Sequence, residues 1–120
     1  VVRHLLCLLV AAYAAAATPA YACAVLEKAD PKVGSEIKGR VTEVTLTFTG
    51  HIIADKSTLE VKDVAGNAVN IGHPYGPASQ DNKTVSIKLK SLPSGTYKVS
   101  WSVLCDCDSF TPGDYTFTVE

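Results

Sequence analysis

The chain predicts an all-β fold, a β-sandwich with Greek-key connections, on three observations. Apolar and polar residues alternate in several short runs, the signature of half-buried strands. Gly, Pro and Asn clusters separate those runs, and no segment sustains a helical period. About seven short strands follow, in a single domain, since the chain has only 120 residues.

The opening residues stand apart from that domain. Arg3 and His4 precede an apolar run, Leu5 to Ala17, and Thr18-Pro19-Ala20-Tyr21-Ala22 follows it. A short basic region, an apolar stretch and a small-x-small site predict a secretory signal peptide over residues 1–22, cut after Ala22. The run is shorter than the roughly 20 apolar residues of a spanning helix. The mature domain, 23–120, therefore carries no membrane span by this reading.

Within the domain, Val25-Leu26 begin a strand that ends at Asp30-Pro31. Val44, Leu46 and Phe48 alternate with Thr45 and Thr47 until Gly50. Leu59 and Val61 alternate with Glu60 and Lys62, and Ala65-Gly66-Asn67 turns the chain into Ala68 to Ile71. A loop rich in Gly and Pro is expected from Gly72 to Asn82. Val85, Ile87 and Leu89 form the next strand, and Pro93-Ser94-Gly95 turns into Tyr97, Val99, Trp101 and Val103. Pro112-Gly113 is read as a turn before a closing strand of Tyr115, Phe117 and Val119.

Charge and cysteine content narrow the function. Removing the leader takes Arg3 and no acid, so the domain is mildly acidic, with scattered lysines and no basic stripe for nucleic acid. No Ser/His/Asp order, spaced carboxylate pair or phosphate-binding glycine loop suggests an enzyme. Cys7 leaves with the leader, and Cys23, Cys105 and Cys107 remain in an oxidising compartment. An odd number of thiols leaves at least one free, metal-bound, modified or paired with another chain.

Four stretches carry a family resemblance: Leu26-Glu-Lys-Ala-Asp-Pro-Lys-Val-Gly-Ser35, Val44-Thr-Leu-Thr-Phe48, Leu92-Pro-Ser-Gly-Thr-Tyr-Lys-Val-Ser-Trp101 and Gly113-Asp-Tyr-Thr-Phe117. In order and spacing they resemble the CopC family of periplasmic copper-binding proteins. The resemblance implies an immunoglobulin-like or cupredoxin-like sandwich that binds copper in copper homeostasis and resistance, often with a CopD-like inner-membrane protein. It also exposes departures. The family's mature N-terminal histidine, a Cu(II) ligand, is matched by Cys23. The Glu after its second-strand Phe-Ser is matched by Gly50, with His51 next. Its Asp-x-His is matched by Cys107-Asp108-Ser109, and its Met-rich loop has no counterpart in a chain without Met.

The substitutions suggest other chemistry. Residues i and i+2 of an extended chain point to one side, so Cys105 and Cys107 can face one ion, and Cys23 joins them if the fold brings it near. Thiolates select Cu(I) or Zn²⁺, so a Cys-based site takes Cu(I) first and zinc second. Cys23 also offers its α-amine, and His51 or Asp108 offers a fourth ligand. Alternatives remain open: a disulfide from Cys23 to Cys105 or Cys107, contributing roughly 2–4 kcal/mol, or lipidation of Cys23. Each candidate also has a plain reading. His51 and His73 read as surface histidines, Asp106 and Asp108 as loop-capping residues, Trp101 as core, and Cys105 as a small hydrophobe continuing the Trp101 face.

Overall fold

The computed structural model describes residues 24–76, 82–105 and 108–120. These form eight strands: β1 (Leu26–Asp30), β2 (Glu36–Ile37), β3 (Glu43–Phe48), β4 (Ile52–Lys62), β5 (Asn70–Tyr75), β6 (Thr84–Leu89), β7 (Gly95–Cys105) and β8 (Phe110–Val119). They make two four-stranded sheets, β1-β3-β6-β5 and β2-β8-β7-β4. The chain crosses between sheets at every connection except β5 to β6 and β7 to β8, which gives the expected sandwich. Every strand pair is antiparallel except β2 with β8.

Alternation in β3, β6 and β7 places one apolar row from each sheet on the inner face. Val44, Leu46, Phe48, Val85 and Ile87 are fully buried from one side, and Val61, Val99 and Val103 from the other. An aromatic pair spans the layers, Phe48 meeting Trp101 edge-on at 6.2 Å, and Trp101 meets Tyr115 of its own sheet at 6.0 Å. On the opposite face of β3 and β6, Thr45 and Ser86 share a hydrogen bond of 2.9 Å, and Thr47 and Thr84 one of 3.3 Å. Those bonds let Ser86 be buried without an orphaned hydroxyl.

Two tyrosines fasten strands to backbone carbonyls, one local and one distant. Tyr97 donates to the Pro93 carbonyl (2.6 Å) and Tyr115 to the Pro31 carbonyl (2.6 Å). Burial, with the Asp30 carboxylate second, holds the Tyr115 phenol well above its ordinary value. The turn between β4 and β5 forms where Ala65-Gly66-Asn67 predicts it. Asp63 Oδ1 accepts from the amides of Ala65 and Asn67, and Gly66 takes φ +87°. Hydrogen bonds, led by that from the Asn67 amide, hold the exposed Asp63 carboxyl below its usual range.

The structure corrects four expectations. Gly72 to Tyr75 belong to β5 rather than to a loop, so His73 lies on a strand. The β2 segment is only two residues long, too short for an alternation signal. The strand read around Leu59 starts at Ile52, because an interruption between Ile53 and Thr58 hides its period. Pro112-Gly113 sits inside β8, opposite Ser102 and Trp101, instead of forming a turn. There the glycine serves packing: a Cβ on Gly113 would lie 2.4 Å from Trp101 Cζ2. Proline is tolerated because β2 reaches β8 only at Thr118 and Val119, leaving Pro112 on an open edge.

Candidate metal centre

Backbone pairing gathers the segments that carry His51, Cys105 and Asp108 at one end of the sandwich. The Thr49 amide donates to the Val25 carbonyl (2.9 Å), and the Val25 amide to Thr49 Oγ1 (3.0 Å). Thr49-Gly50-His51 then carries the chain from β3 across to β4. The Ile52 amide donates to Asn82 O (2.7 Å), and Ile52 pairs with Cys105 at the end of β7. Ala24, Phe48, Ile52 and Cys105 consequently share one buried cluster.

The connection after Cys105 is closed by two backbone bonds. The Asp108 amide donates to Cys105 O (3.1 Å), and the Cys105 amide donates to Ser109 O (3.0 Å). Asp108 takes φ +61°, a left-handed conformation that Asp tolerates better than most residues. A three-residue link ending in a left-handed residue is a common way to join antiparallel strands. Asp108 thus shapes the loop, in line with its plain reading, while its exposed side chain stays available to solvent.

The candidates differ in what surrounds them. Cys105 is completely buried on the face of Val99, Trp101 and Val103, and its thiol donates to Ser109 O at 3.2 Å. It is a core residue at the mouth of the sandwich, as its plain reading expects. His51 is exposed beside it in the crossing segment. Cys23, Asp106 and Cys107 lie outside the described residues, although Ala24 and Asp108, their chain neighbours, stand at this same end. Among the described residues, no group of three or more His, Cys, Asp and Glu side chains converges. His73 lines a groove of about 400 Å³ with Glu60, Ser100 and Ser102.

Sequence reasoning overlooked Ser57. Its hydroxyl donates to Ile53 O (2.7 Å) and accepts from the Leu104 amide (3.0 Å), while the residue is 6 % exposed. Its only trace in the sequence is the break in alternation between Ile53 and Leu59.

Comparison with known proteins bears on this arrangement. The CopC domain model matches residues 26–120. The structure of CopC from Methylosinus trichosporium OB3b is similar with a TM-score of 0.74 at 25 % identity, covering 81 % of this chain and 93 % of that one. PcoC, a methionine-rich copper resistance protein from Escherichia coli, is similar with a TM-score of 0.72 at 24 % identity, covering 82 % of this chain and 100 % of that one. No curated protein sequence matches the chain.

Proposed function

The chain belongs to the CopC family, and on that premise we propose that it is a periplasmic copper-binding protein of copper homeostasis and resistance. Its cargo is Cu(I), held at the mouth of the sandwich, with zinc as the next best fit. The observation that carries this reading is the backbone pairing that brings Val25 to Thr49 and Ile52 to Cys105, so that His51 and the chain neighbours of Cys23 and Cys107 stand at one end. Copper resistance in the structurally similar PcoC supports the metal.

In this reading Cys23, Cys105 and Cys107 supply soft donors, and His51 or Asp108 a further ligand. Thiolate and N-terminal amine must each lose a proton to bind, with ordinary values of about 8.5 and 8, so affinity falls in acid. The chain works as a carrier rather than an enzyme, and a CopD-like inner-membrane protein is the partner that exchanges metal with it. Secretion through a leader cut before Cys23 frees the amine.

Cu(I) titration of the reduced mature protein against a competing chelator tests this. We expect one ion per wild-type chain and an affinity at least about tenfold lower in Cys107→Ser, the loss of roughly one strong donor. Equal uptake by both proteins overturns the thiolate site. The complete burial of Cys105 favours a second reading, in which its sulfur pairs with Cys23 and staples the N-terminus to the core. Thiol counts with and without chelator separate the two: metal release restores titratable thiols, whereas a disulfide requires reductant.

A further inference from the structure

Ser57 stands where β4 loses register with β7. Between the pairs Ile53–Leu104 and Thr58–Ser102, β4 advances five residues while β7 advances two. Such an insertion bends the strand and interrupts the ladder. It breaks the ladder just beyond the Ile53–Leu104 pair, beside the buried Leu104 amide, where a backbone group left unpaired costs about 1–3 kcal/mol. A hydroxyl can donate once and accept twice. The Ser57 hydroxyl does both, bridging Ile53 O at 2.7 Å and Leu104 N at 3.0 Å.

The place of the bridge gives it a role beyond closing a bulge. Leu104 directly precedes Cys105, and Ile53 directly follows Ile52, the residue paired with Cys105. One side chain therefore fixes the start of β4, into which His51 leads, against the end of β7, which carries the first thiol. We propose that Ser57 is a positioning residue for the mouth of the sandwich, setting the depth of Cys105 and the approach of His51. Its effect on metal uptake rests on the copper reading above; its effect on Cys105 does not.

The test compares Ser57→Ala and Ser57→Thr with Val61→Ala, a cavity-forming change farther along β4, opposite Val99. Three quantities are measured on the reduced full protein: iodoacetamide labelling of Cys105 by peptide mapping, hydrogen exchange at the Leu104 amide, and Cu(I) affinity. After correction for each variant's unfolding free energy, Ser57→Ala labels and exchanges about tenfold faster than Val61→Ala, and binds Cu(I) about tenfold more weakly, as expected for one lost buried bridge. Ser57→Thr, which keeps the hydroxyl, returns toward wild type. If Ser57→Ala and Val61→Ala label Cys105 at the same corrected rate, Ser57 is only a stability residue and the proposal falls. A wild-type protein that takes up no Cu(I) defeats the copper reading, while labelling and exchange still decide the role of Ser57.

Discussion

At the scale of single residues, the molecule is organised by how large rings find room. Trp101 lies over Gly113, so close that the space a methyl group would need is already filled by the indole. Gly113→Ala must push the ring off Phe48 and Tyr115, and overpacking of this kind costs about 1–3 kcal/mol. Urea denaturation checks it: the midpoint falls with an unchanged slope. Tyr115 makes a different demand. Its phenol is buried and donates to Pro31 O, so Tyr115→Phe loses about 1–2 kcal/mol at neutral pH. Because burial raises the folded value above the ordinary one of about 10, the folded state holds this proton longer than the unfolded chain. Its contribution is whole below about pH 10 and is lost as the pH climbs toward the folded value. Stability measured across that alkaline range should fall less steeply in Tyr115→Phe than in wild type.

At the scale of elements, each long exposed edge is interrupted. Register shifts break β1 between Leu26 and Lys28, β4 between Ile53 and Thr58, and β5 between Ile71 and Tyr75. The edge of β8 is guarded by Pro112. Thr116 O accepts from the Gly34 amide and the Thr118 amide donates to Ser35 O, so even-numbered residues of β8 turn their backbone groups away from β7. Pro112 falls in that outward set and offers no N–H to another strand. Pro112→Thr restores the donor, and sedimentation velocity should show stronger self-association than in the wild type at equal concentration. The same interruptions explain what was legible in the sequence. β3, β6 and β7 keep strict alternation over their buried faces and could be read directly. β4 and β5 carry register shifts, and β5 and β8 carry glycines and prolines that imitate turns. Ser57 was illegible because a bridging hydroxyl has no pattern of its own; only the register reveals that a donor and an acceptor need it.

At the scale of the whole molecule, both sheets meet the candidate centre through one short crossing, Thr49-Gly50-His51. Phe48 ends β3 just before it, fully buried against Trp101. Phe48→Ala should cost about 3–5 kcal/mol, a large share of the roughly 5–15 kcal/mol that stabilises a typical domain. Thermal denaturation measures that loss. Of the candidate residues, the structure brings the backbones of His51, Cys105 and Asp108 to this end, while Cys23 and Cys107 lie outside the described residues. The depth of Cys105 was legible as its plain reading, because the face of Val99, Trp101 and Val103 continues into it and all four are buried.

The chain contains a single tryptophan, and Trp101 lies four residues before Cys105, about 13 Å along an extended strand. Its ultraviolet emission is therefore a native gauge of the inter-sheet space. The indole is largely buried between the layers, so a red shift marks their parting. Breathing confined to the far tip leaves the colour unchanged.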